Sequence, residues 1–142
     1  MNTLISKYKI LKENNLILEF HKGALDIDSF IKFKIKLTED PLFTNSLNYY
    51  IDFKNVTFNL SESDVDKYLN FLKGNSNYLG KRKVALITNT PKQVVYSTFF
   101  KMKRTNSIQA IEVFSTSKSA LAWLKIDDTS IIELETIFDE LN

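Results

Sequence analysis

Apolar and polar positions along the chain assign most of its elements. Tyr8-Lys9-Ile10-Leu11 and Leu16-Ile17-Leu18-Glu19-Phe20 are short β-type runs. Glu13-Asn14-Asn15 between them is a turn signal, so the pair reads as an N-terminal hairpin, and Gly23 is expected to end its second strand. The next segment fits two periods. Ile31 to Leu37 alternates apolar and Lys, as a half-exposed strand does. The same stretch has Asp26 or Asp28 as a helix cap, Ile27, Phe30, Ile31 and Ile35 on one helical face, and Asp40-Pro41 as a stop. Leu47 to Phe53 is apolar on both faces for several residues and reads as a central strand. Ser61 and Asp64 form a capping box with a shorter acid ahead of Val65, Tyr68, Leu69 and Leu72, and Gly74 closes that helix.

Lys83 to Thr88 is the clearest buried strand. Pro91 opens a helix whose apolar stripe is read as Val94, Val95, Phe99 and Met102. Ala110 to Phe114 is a fifth strand. A short helix with Ala120, Leu121, Trp123 and Leu124 follows. A last helix, capped by Asp128-Thr129-Ser130, places Ile131, Leu134, Phe138 and Leu141 on one face. The fold class is α/β in a single domain: a ββαβαβα(α) order, a mainly parallel five-stranded sheet with an N-terminal hairpin, and helices covering it. Residues 1–125 form the domain. Residues 126–142 form an acidic helix that packs on the domain or on a second subunit.

Composition narrows the chemistry. The 142 residues contain no Cys, one His and three Gly, which excludes disulfides, thiolate and multi-histidine metal sites, and Gly-rich phosphate loops. Net charge is +2, too mild to argue for nucleic acid. Its distribution is uneven: residues 1–125 carry all 19 Lys and Arg with 11 acids, a net of +8, while residues 126–142 carry six acids and no base. Met1 to Phe20 holds five charged residues and no apolar run of signal-peptide length, and no stretch approaches a membrane span. The expectation is a cytoplasmic protein.

Several segments together resemble the STAS-like, SpoIIAA-like superfamily of small bacterial domains, over roughly residues 5–125. They are Asp40-Pro41-x-Phe43, the strand ending Ile51-Asp52-Phe53, the Asn55-Val56-Thr57-Phe58 turn into a capped helix, and the closing Ala120-Leu121-Ala122-Trp123-Leu124 helix. The resemblance decides the ambiguous segment in favour of a helix. In anti-anti-sigma members of the superfamily, a serine in an Asp-Ser-Ser-Gly turn is phosphorylated by a partner kinase. The corresponding stretch here is Leu60-Ser61-Glu62-Ser63, which lacks the Asp and Gly and has an acid at the modified position. The chain also looks similar to a STAS-like group related to CRAL-TRIO lipid carriers.

Candidate sites are few. Ligands in open α/β sheets favour the crevice beyond the strand carboxyl ends. That criterion selects Asp52, Lys54 and Asn55 after one strand and Thr88, Asn89 and Thr90 after its neighbour, with Ser61 and Ser63 at the following helix start. Local caps and turns would explain the same residues. The helix from Pro91 has no acid and carries Tyr96, Phe100, Lys101, Lys103 and Arg104, a candidate surface-binding face if the two aromatics are exposed. His21 is either a general base or a half-exposed residue at a strand end. No catalytic residue, cofactor or metal ligand is assigned. The expected function is a non-enzymatic protein-interaction or regulatory module, acting on a protein partner or as a homodimer. The alternative is a carrier or sensor of a small apolar, lipid-like ligand, for which a cavity of roughly 300–1,000 Å³ would be typical. Contact with an anionic membrane is conceivable but not favoured, and nucleic acid is not expected.

Overall fold

The structure is a computed structural model describing residues 3–104 and 108–141, without the side chains of residues 128, 129, 131, 132 and 135. Five strands form one sheet: β1 (Ile5–Leu11), β2 (Leu16–Leu25), β3 (Asn48–Phe58), β4 (Lys83–Ile87) and β5 (Ala110–Phe114). They lie side by side in chain order, β1 antiparallel to β2 and the rest parallel. The helices are α1 (Ile27–Thr38), α2 (Glu62–Lys73), α3 (Pro91–Lys103), α4 (Ser117–Trp123) and α5 (Asp128–Leu141). The full order is ββαβαβαβαα, one strand–helix pair longer than the expected shorthand, which wrote four of the five expected strands.

Asn15, in the left-handed region at φ 53°, closes the hairpin as its N–H bonds to the Lys12 carbonyl at 3.0 Å. Gly23 does not end β2. The register slips between Phe20 and Lys22, Gly23 takes φ 99°, and pairing resumes through Leu25. Gly23 adopts that positive φ because it carries no Cβ to clash there.

Residues 27–38 are helical because β2 and β3 are parallel neighbours, and a parallel pair needs a crossover rather than a tight turn. The Asp26 carboxylate caps α1 by accepting the Ser29 N–H at 2.8 Å. The buried stripe is Ile27, Phe30, Lys34 and Leu37, while Ile35, expected on that face, is exposed.

With the right-handed crossovers usual between parallel strands, a sheet whose order never reverses has its connecting helices on one face, leaving the other to the helices after the last strand. The two cores follow that division. Ile17, Tyr49, Ile51 and Phe53 share one core with Phe30 and Leu37 of α1. Leu16, Leu18, Phe20 and Tyr50 share the other with Leu121, Leu134 and Phe138 of α4 and α5. The acidic terminal helix thus packs on its own chain: Phe138 stacks on Tyr50 with centroids 5.0 Å apart. The Ile131 side chain lies outside the described residues. No described helix is long and apolar enough to cross a membrane.

Candidate functional site

Strand alternation decides what faces the α1–α3 layer. Tyr49, Ile51 and Phe53 point there from β3, as Ile17, Glu19 and His21 do from β2. Between that face and the helices lies a cavity of about 100 Å³. Its walls are mainly apolar, with Phe30 from α1, Ile51 and Phe53 from β3, and Tyr96 and Phe100 from α3. An engineered apolar cavity of about 150 Å³ accepts benzene. This cavity is smaller than that, so it has room for a short chain or branch rather than a whole ring, and it falls well short of the size expected for a lipid carrier.

Charged groups line part of this apolar space. The Glu19 carboxylate is fully buried, accepts from Lys34 Nζ, and meets His21 Nε2 at 2.9 Å. His21 Nδ1 in turn lies 2.7 Å from Ser6 Oγ. The imidazole is surrounded by the rings of Phe30, Phe33 and Phe53, 5.0 to 5.6 Å away. His21 is therefore an interior residue of β2, not the half-exposed strand end expected from its position. Burial pushes the Glu19 carboxyl up, but Lys34 and His21 outweigh it and hold the group below its ordinary value. Burial drives the Lys34 ammonium below its ordinary value, further than Glu19 raises it, and the Arg82 charge adds to the fall. Lys34 Nζ also lies over the Tyr49 ring at 4.5 Å.

Arg82, just before β4, is 4% exposed. Its guanidinium lies 5.0 Å from the Tyr49 ring centroid, and Nη2 donates to the Asn77 carbonyl at 2.8 Å. Nε and Nη1 are buried with no hydrogen-bond partner among the described residues, and no described carboxylate is within ion-pair reach. The hydroxyls of Tyr49, Tyr78 and Ser97, which line the same cavity, are also buried without a full hydrogen bond among the described residues. Burial pushes the Tyr78 phenol up to about 12, and raises Tyr49 strongly, helped by the Glu19 charge and opposed by Arg82. Both phenols are neutral at physiological pH and available as donors.

The residues expected beyond the strand ends form a different arrangement. Because the strand order never reverses, the sheet has no topological switch point to open a crevice there. Asp52 is buried, accepts the Lys54 N–H at 2.8 Å and pairs with Lys54 Nζ at 3.6 Å. Its carboxyl is raised, burial outweighing these contacts. Thr88 is buried and Asn89 is exposed. Thr90 and Gln93 form the capping box of α3, and the Gln93 amide donates to the carbonyls of Lys54 and Val56 at 3.1 and 3.0 Å. Gln93 thus ties β3 to the start of α3. Asn55, Ser61 and Ser63 are exposed, and Ser61 with Asp64 completes the α2 capping box.

The α3 face differs from the expected one. Gln93, Tyr96, Ser97, Phe100 and Arg104 turn inward, with Tyr96 donating to the Leu60 carbonyl at 2.8 Å. Tyr96 and Phe100 therefore are not an exposed binding face, and Arg104 is buried. Val94, Val95 and Met102, expected in the core, face solvent, and Phe99 is half-buried. With apolar residues all round, the periodicity of α3 could not orient it; the hydrogen bonds of Gln93 and Tyr96 did. Lys101 pairs with Glu112 at 2.9 Å and Lys103 with Asp66 at 2.7 Å. The Glu19–Lys34 pair and Arg82 were missed by sequence reasoning, since Lys34 and Arg82 stand among charged neighbours that look like a solvated face. The one usable signal was Glu19, an acid inside an otherwise apolar run.

No family model matches the chain, and no curated protein matches it. Among solved structures, it is similar to an uncharacterized protein of the DUF3478 family with a SpoIIAA-like fold from Shewanella loihica PV-4. The two share 16% identity over 87% of this chain and 98% of the other, with a TM-score of 0.58. The chain therefore has a SpoIIAA-like fold. At this identity the likeness concerns architecture, because a fold hosts many functions.

Proposed function

We propose that this protein is a non-enzymatic interaction module of regulatory type, which docks a protein partner on the outer face of α3. The observation that carries this reading is the two-sided apolar character of α3. Its inward residues close the cavity, while Val95 and Met102 stand 65% and 64% exposed one above and one below the half-buried Phe99. A helix that covers a sheet needs only one apolar face, and a second one is stabilised when a partner covers it. Val94, 42% exposed, widens the stripe, and the exposed Lys92 stands on its rim. The surface suits a partner with an apolar patch bordered by acids.

Native mass spectrometry on protein purified gently from its own host tests this. A complex with a second copy or with another chain is expected, and Val95→Asp with Met102→Asp should release it without lowering the melting temperature. A monomer at all concentrations with no associated chain, or a complex indifferent to both substitutions, would overturn the reading.

A further inference from the structure

We propose that the cavity between the sheet and α1–α3 binds a small apolar monocarboxylate, whose carboxylate completes the buried guanidinium of Arg82. A guanidinium is charged at any physiological pH, and a charge removed from water is strongly unfavourable without a counter-ion and filled hydrogen bonds. Among the described residues, Arg82 is buried with the Asn77 carbonyl as its one full acceptor, and Nε and Nη1 make no full hydrogen bond, the Tyr49 hydroxyl being their polar neighbour. Glu19, the buried acid of this region, is already engaged by Lys34 and His21. Among the described residues, Arg82 thus lies against the rings of Phe43 and Tyr49 and has no carboxylate within ion-pair reach.

The groups around it narrow the ligand class. The Tyr49 and Tyr78 hydroxyls line the same cavity without a full hydrogen bond among the described residues, their polar neighbours being Arg82 and Thr38, and can donate to a carboxylate beside Arg82. One cation without a counter-ion suits a single negative charge better than a dianionic phosphate. Walls such as Phe30, Ile51 and Phe53 suit a hydrocarbon remainder. The volume of about 100 Å³, below that of a cavity that accepts benzene, restricts that remainder to a short branched chain. The site goes beyond the docking surface of α3 and does not depend on it.

The test titrates the isolated protein with propionate, isobutyrate and pivalate, against propionamide, isobutyramide and pivalamide, at constant ionic strength. Binding is read by calorimetry and by thermal shift. At least one carboxylate should stabilise the protein saturably, and the matching amide should bind about tenfold more weakly or not at all. Tyr78→Phe, which keeps the ring, should weaken the same carboxylate several-fold. Arg82→Lys, which keeps the charge but loses the planar fork, should weaken it about tenfold. Should Arg82→Lys fail to fold, Tyr78→Phe and the acid–amide comparison still decide. Equal binding of acids and amides, no saturable binding of any acid, or a crystal grown with isobutyrate that shows only ordered water at Nε and Nη1 would each overturn the proposal.

Discussion

Replacing Lys34 with Met should destabilise the fold far more than a typical lysine substitution, because it strands a buried carboxylate. Glu19 has no exposure to solvent, and its two buried side-chain partners are Lys34 and His21. Removing one member of a buried ion pair typically costs about 3–5 kcal/mol, since the other charge stays desolvated. That is a large part of the roughly 5–15 kcal/mol that holds a domain of this kind together. The Met side chain retains most of the apolar contact that the lysine stem makes, so the loss reports the charge. Replacing the pair together, Glu19→Gln with Lys34→Met, should cost less than Lys34→Met alone, because no unpaired charge remains. Urea denaturation followed by circular dichroism measures all the variants. A double-mutant cycle including Glu19→Gln should give a coupling of about 2 kcal/mol or more.

The acid limb provides a second readout of the same pair. The folded-state pKa of Glu19 lies below its ordinary value of 4.5, so the folded chain gives up this proton more readily than the unfolded chain. The stability it contributes is present above pH 4.5 and is lost as pH falls from there through the lowered folded value. That contribution to the acid slope should disappear in the double variant. A loss below about 1 kcal/mol for Lys34→Met, or a double variant less stable than either single one, would refute this account of the buried pair.

Two further outcomes test the packing. Phe138→Ala removes the ring stacked on Tyr50 and 5.5 Å from Phe20, and should cost about 3–5 kcal/mol in thermal or urea unfolding. A cost under about 1 kcal/mol would mean that α5 contributes little to this core. Ser61→Ala removes the acceptor for the Asp64 N–H and half of a complete capping box, and should cost about 1 kcal/mol. The same midpoint for both proteins would show that Ser61 is not needed as a cap.

Much of the scaffold was legible in the sequence. The strands Leu16–Phe20, Leu47–Phe53 and Lys83–Thr88 announce themselves as apolar runs, because strands covered on both faces have no polar side to alternate with. The helix starts at Ser61 and Pro91 were readable because capping is local, with donor and acceptor three residues apart. The candidate site was far less readable. Asp52, Thr88 and Thr90 were selected from their place beyond strand ends, but whether a crevice opens there depends on strand order, which local pattern does not encode.

By itself, the sequence determined the α/β alternation, the hairpin, the caps, the acidic terminal helix and the absence of cysteine chemistry. These are properties of neighbours in the chain and of composition. Only the tertiary structure decided which face of α3 looks inward, since apolar residues surround that helix and the choice rests on Gln93 reaching carbonyls 37 and 39 residues away. Only the tertiary structure brought Glu19, His21 and Lys34 together and buried Arg82 beside Tyr49 and Tyr78. A charged residue in the sequence is read as exposed because solvation favours it there. Its burial becomes possible only when distant elements close around it and other side chains replace part of the water.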